Sequence, residues 1–240
     1  SVGHLLGHDL PLTNLSLVHE LMETYSDCRT VILKSKSLYS LSRRLISAQK
    51  LLSATTALSY TKETQERSST PVLIPSVGVE EYRKTIPFVV QESDSVMELG
   101  CHYGRTTKLL HTVVSSPEKC CIGVDIGPKI IQHAKRQYPD IDFHVASAWS
   151  TLELLKLSPG NNSGFDIIYA DIGGLSGPDG LLESLALLDA LGNALQPKCI
   201  VIKSLCLQQF SAKLQFFPII WDKVLSQQRE QEQEAAALSS

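Results

Sequence analysis

Four positions stand out by residue type and spacing: Glu98, Asp125, Asp171 and Lys203. Glu98 lies in the stretch VMELGCHYGRTT, two residues before Gly100 and six before Gly104. Glycine lets a backbone turn tightly and approach a ligand with no Cβ in the way. A loop that cradles a dinucleotide needs G-x-G-x-x-G, which brings a pyrophosphate to a helix N-terminus. This loop is G-x-x-x-G with an acid beside it, and a carboxylate repels a pyrophosphate. It suits a ligand that carries an ammonium or sulfonium group. Asp125 stands 21 residues after Gly104, where a carboxylate at a strand end can accept both hydroxyls of a ribose. A ribose clamp without a phosphate cradle fits a nucleoside with a cationic amino-acid tail, and S-adenosylmethionine is such a molecule.

These positions need a scaffold, and the apolar pattern supplies one. SVMEL, CCIGVD, IDFHV, FDIIYAD and KCIVIKS read as strands. Between them, residues 105–114, PKIIQHAKRQY, AWSTLELLKL and GLLESLALLDALGNAL read as helices, the second with Pro128 in its first turn. Apolar strands alternating with amphipathic helices predict a parallel sheet covered on both faces. FFPIIW reads as a last edge strand, since Pro218 cannot donate to a ladder. Upstream, LSLVHELMETY reads as a helix, TVILKS as a short strand and residues 38–52 as a basic amphipathic helix, followed by a Ser/Thr-rich linker. The expected organisation is a basic, mainly helical extension with linker over 1–75, a ligand-binding domain over 76–222 and a polar tail over 223–240.

Composition narrows the partners. The chain has 240 residues, 43% of them hydrophobic, and a formal charge of −3, so it is not a strongly basic nucleic-acid binder as a whole. Its charge is uneven: seven basic residues and no acid fall between Cys28 and Lys62, a patch that suits phosphates and makes RNA a candidate partner. No apolar run is long enough to span a bilayer, and no membrane partner is expected. Six cysteines without metal-ligand spacing read as buried reduced thiols, so no metal is expected. They place the chain in a reducing intracellular compartment, the cytoplasm first.

Residues 94–203 resemble a class I S-adenosylmethionine-dependent methyltransferase. VMELGCHYG is similar to that family's first motif, E/D-x-G-x-x-x-G; IGVDI to its ribose-binding strand end; FDIIYAD and QPKCIVIKS to its fourth and fifth strands. The resemblance implies a Rossmann-like, doubly wound α/β fold with a mostly parallel sheet. It implies that Glu98, Gly100 and Gly104 line the methionine end of the cofactor, with His102 and Tyr103 in the same loop. Asp125 would hold the ribose, Ile126 would lie against the adenine, and Ser147 and Ala148 would sit near the adenine ring. Asp171 would close the cofactor side of the fourth strand. The chain departs from the family at His102, where a middle glycine is frequent, and at Ser147, where an acid is frequent.

The acceptor is read from the strand ends. ADIGG lacks the N/D-P-P-Y/F of amino-methylating enzymes and the carboxylate cluster of metal-dependent ones. Asp171 and Lys203 end neighbouring strands, an arrangement similar to the fibrillarin and FtsJ-like RNA 2′-O-methyltransferases. The resemblance implies catalytic roles for Asp171 and Lys203 in transfer to an oxygen, with an RNA ribose hydroxyl as one acceptor and a small molecule as another. A non-catalytic protein of the same fold, binding RNA or a protein, is the reading from a different class. Lys34 and Lys84 are the candidates for a second lysine.

Overall fold

The computed structural model describes residues 41, 44–53, 71–114, 120–159, 164–175, 177 and 180–213. Six strands form one sheet: β1 (Val72–Ser76), β2 (Val96–Leu99), β3 (Cys121–Asp125), β4 (Asp142–Val145), β5 (Ile167–Ala170) and β6 (Cys199–Lys203). Their order is β1-β6-β5-β2-β3-β4 and every pairing is parallel. The chain winds outward from β2 through β3 to β4, then returns to the other side of β2 for β5 and β6. Ligands of such sheets bind where the winding reverses, outside the carboxyl ends of the strands. Here that point lies between β2 and β5.

Helices cover both faces. One face carries α1 (Ala48–Ser53), α2 (Val79–Lys84), α3 (Ile86–Val89), α4 (Arg105–Val113) and α5 (Pro128–Gln137). The other carries α6 (Thr151–Lys156), α7 (Gly180–Leu195) and α8 (Leu205–Lys213), with Leu154, the α7 leucines and Leu207 packed on Met97, Leu99, Ile168, Ile200 and Ile202. The central strands are buried on both faces, which is why they read as nearly unbroken apolar runs.

The structure departs from the sequence reading in two places upstream of β2. VLIPS, assigned to the extension and linker, is strand β1 at the edge of the sheet. Pro75 is tolerated there because an edge strand has one side without a ladder to supply. The helix expected over 38–52 is interrupted. Leu45 bridges Leu73, the Ile46 N–H donates to the Leu73 carbonyl at 2.9 Å, and helix resumes at Ala48. Ser47 restarts it by accepting the Lys50 N–H on Oγ at 3.3 Å, a capping bond that a helix interior would not use. The expected helix LSLVHELMETY, the strands TVILKS and FFPIIW, and the 223–240 tail lie outside the described residues. Among the described residues, no helix is long and apolar enough to cross a membrane.

Candidate functional site

Register brings the chemistry-bearing residues into one row. Ser76 is the partner of Lys203 and Asp125 the partner of Val145. One position before the row, Ala170 pairs with Leu99 on one side and Ile202 on the other, and Leu99 with Val124. Successive residues alternate faces, so Ser76, Lys203, Asp171, Gly100 and Asp125 form a line across the carboxyl ends on the face that α2 and α4 cover. Residues from positions 76 to 203 thus meet at one sheet edge.

The turn after β2 is built by backbone bonds. Gly100 and Cys101 N–H both donate to the Val124 carbonyl, at 2.8 and 3.0 Å, and Gly104 N–H donates to Cys101 O at 2.9 Å. Gly100 takes φ +75°, and a Cβ there would lie 2.1 Å from the Asp171 carbonyl oxygen. Glycine is what lets β2 and β5 approach at the crevice. Gly104, at φ +79°, caps α4, and a Cβ there would strike the Phe143 ring at 2.6 Å. His102 is also left-handed, at φ +48°. Its ring lies 3.9 Å from that of Tyr103, which lies 4.4 Å from that of His133 on α5. The His102 imidazole is thereby engaged in a chain of tilted ring contacts that reaches α5.

Asp125 is held in place by its neighbours. His102 N–H donates to Oδ2 at 3.1 Å and Gly127 N–H to Oδ1 at 2.9 Å. Each oxygen keeps a further lone pair, and the carboxylate is half-buried. Ile126, beside it, is 74% exposed, so an apolar side chain stands uncovered next to the acid. Ser147 and Ala148 follow β4 at the same end, both partly buried, and Ser147 Oγ accepts the Trp149 N–H at 3.3 Å.

Asp171 and Lys203 form an ion pair, with side chains 21% and 30% exposed. Asp171 N–H donates to the Leu99 carbonyl at 2.9 Å, tying the end of β5 to β2. The loop behind it is anchored by Ser204, whose Oγ–H donates to Leu175 O at 2.7 Å and whose Oγ also accepts the Leu207 N–H at the start of α8. Ser184 on α7 adds a donor to Ser204 Oγ at 2.9 Å. The pair therefore sits on fixed backbone at both strand ends. Lys84 is exposed at the last residue of α2, and Lys34 lies outside the described residues.

Glu98 lies one tier below the row and is 2% exposed. Thr107 on α4 donates its hydroxyl to Oε2 at 2.5 Å. Burial pushes its carboxyl up to about 8; Asp171 adds to the rise, while hydrogen bonds from Thr107 and Thr106 oppose it. Tyr82 of α2 packs edge-to-face on Tyr169 at 5.0 Å, and its buried hydroxyl is the one buried side-chain nitrogen or oxygen among the described residues without a hydrogen-bond partner. The floor of the crevice is thus Glu98 and two tyrosines, with Asp171 and Lys203 in the row above it. Thr107 and Tyr82 were missed from sequence. A Thr-Thr pair after a glycine loop is the only signal for the first; nothing local marks the second.

Of the seven basic residues between 28 and 62, Arg44 and Lys50 are described. Arg44 is half-buried and donates from Nε to the Pro71 carbonyl at 3.0 Å, so it ties the chain to the start of β1. The described cysteines are free; Cys101, Cys121 and Cys199 are buried, and burial raises their thiols well above the ordinary range.

No family model matches the chain, and no curated protein does. Solved structures that it matches include a TehB-like SAM-dependent methyltransferase from Corynebacterium glutamicum, at 21% identity and TM-score 0.36, covering 50% of this chain and 60% of that one. Fibrillarin from Aeropyrum pernix, with natively bound S-adenosyl-L-methionine, matches at 20% identity and TM-score 0.32 over 41% of this chain and 42% of its own. The O-methyltransferase TomG from Streptomyces achromogenes, in complex with SAM, matches at 17% and 0.37 over 60% and 64%. The chain spans less than two thirds of each of these proteins.

Proposed function

We propose that the chain is an S-adenosylmethionine-dependent methyltransferase that transfers a methyl group to a hydroxyl oxygen. The observation that carries the reading is the row Lys203–Asp171–Gly100–Asp125 across the carboxyl ends of four adjacent strands. It joins a sugar-binding carboxylate, a glycine turn and an acid–lysine pair in one crevice.

The donor set fits the cofactor. Asp125 is fixed by two backbone N–H groups and keeps acceptor capacity for the two hydroxyls of a ribose. Exposed Ile126 beside it offers an apolar surface to an adenine. Asp125 stands beside the glycine turn, its Oδ2 accepting the His102 N–H, and a carboxylate there disfavours a pyrophosphate. When bound, the cofactor supplies an electrophilic methyl group.

The chain's own residues act on the acceptor. Lys203, paired with Asp171, has donors to orient a hydroxyl and to stabilise its oxygen as negative charge develops. Asp171 keeps the ammonium group at the crevice and offers an acceptor to the same hydroxyl. The anchored strand ends supply orientation, and positioning alone contributes several kcal/mol to reactions of this kind.

Transfer of radiolabelled methyl from S-adenosylmethionine to total RNA and to a panel of small hydroxyl compounds tests the reading. Lys203→Ala is expected to lower transfer at least 100-fold while cofactor affinity holds. Transfer that is unchanged in Lys203→Ala would remove the lysine from the chemistry. An RNA ribose is the acceptor we favour, because an acid and a lysine paired at the ends of neighbouring strands resemble the arrangement of RNA 2′-O-methyltransferases.

A further inference from the structure

A basic surface is carried by α4 and α5. The N-terminal end of α4 meets α5: a Cβ on Gly104, the cap of α4, would lie 3.1 Å from the Tyr138 ring at the end of α5, and the Tyr103 ring lies 4.4 Å from that of His133. Together they carry Arg105, Lys108, Lys129, Lys135 and Arg136, all exposed, and no Asp or Glu. Among the described residues, the ion pairs are made by Lys198 and Lys203, so none of these five cations lies within ion-pair distance of a carboxylate, although Asp142 on β4 and Lys135 both act on His144. In a chain of formal charge −3, this is a concentrated exception. Amid the cations stand the exposed rings of His102, Tyr103 and His133.

Cations alone suit any polyanion. Exposed rings among them suit one whose bases are unpaired, because base faces stack on aromatic side chains while phosphates meet Lys and Arg. A duplex hides its base faces, and an anionic membrane has none. We propose that the α4–α5 surface docks single-stranded RNA, with phosphates along Arg105, Lys108, Lys129 and Lys135 and bases against the outer rings of His102 and His133. The loop bearing His102 begins at Gly100, beside Asp171. Three strand spacings, about 15 Å, separate the end of β3 from that of β6, so a strand crossing the loop leads toward Lys203. The purpose of this docking rests on the reading of the site as a methyltransferase; the binding does not.

Fluorescence anisotropy with labelled oligouridine tests it on the full chain. The logarithm of the affinity is expected to fall with the logarithm of salt, with a slope of about −0.7 for each phosphate neutralised. The triple variant Lys108→Glu/Lys129→Glu/Lys135→Glu should bind at least 10-fold more weakly and with a shallower slope, while its affinity for S-adenosylhomocysteine and its melting temperature hold. His133→Ala should weaken binding of oligouridine and leave an abasic strand of equal length unaffected. Wild-type affinity in the triple variant, a flat salt dependence, or flotation with phosphatidylserine vesicles in the absence of oligouridine binding would each overturn the proposal. Loss of cofactor binding in the wild-type chain would instead sink the methyltransferase reading and leave this surface standing.

Discussion

Substituting Gly100 by alanine tests the crevice where it is tightest. The residue sits at φ +75°, and its new Cβ would lie 2.1 Å from the Asp171 carbonyl oxygen and 2.8 Å from the carbonyl carbon. The left-handed conformation alone costs an L-residue about 1–2 kcal/mol. Relieving the contact drives β5 from β2 and breaks the bond from Asp171 N–H to Leu99 O, worth about 1 kcal/mol. The expected loss is therefore about 2–3 kcal/mol. Urea unfolding reads it: with a slope of about 3 kcal/mol/M for a domain of this size, the midpoint falls by about 0.7–1 M. Gly78→Ala is the matched control. Its φ is −151° and a Cβ there meets nothing within 4 Å, so its midpoint is expected to stay within about 0.2 M of the wild type, in line with an ordinary surface change. Equal midpoints for the wild type and Gly100→Ala would refute the close approach of β2 and β5 on which the Asp171–Gly100 juxtaposition depends.

Two further outcomes follow from burial. Glu98 has its carboxyl raised from 4.5 to about 8, so the folded state holds a proton that the unfolded state releases between those values. The stability is present in full below 4.5 and is lost as pH rises through 8, by on the order of 5 kcal/mol as a ceiling. Urea titrations from pH 5 to 8 should show wild-type stability falling and Glu98→Gln staying level; parallel curves would mean that the acid is not buried neutral. Cys121 and Cys199 are buried with raised thiols, so a thiol reagent should spare both until urea is added. Fast labelling of either, read by peptide mass mapping, would contradict their place in the core.

The sheet was legible because its central strands are buried on both faces and so appear as apolar runs with little alternation. The glycine turn was legible because Gly100 and Gly104 are needed for backbone conformation, and the places of Asp125, Asp171 and Lys203 because each closes an apolar strand run. β1 was not legible. Pro71 and Pro75 bracket a run of three apolar residues, a pattern that local chemistry assigns to a linker, and the strand exists because β6 offers a ladder 127 residues away. The break at Leu45 has the same origin, since β1's free edge competes with helix for the chain. Glu98 was read as lining the ligand. Its depth depends on α4 delivering Thr107 beneath the turn, a tertiary event with no trace in the motif.

The central claim is that the turn after β2 and the carboxylate ending β3 hold a cationic nucleoside. Calorimetric titration of the full chain with S-adenosylhomocysteine, alongside the Asp125→Ala variant, measures it directly. The account predicts saturable one-to-one binding by the wild type, with affinity at least 10-fold weaker in Asp125→Ala at an unchanged melting temperature. No heat of binding in the wild type, or equal affinity in the two proteins, would contradict it.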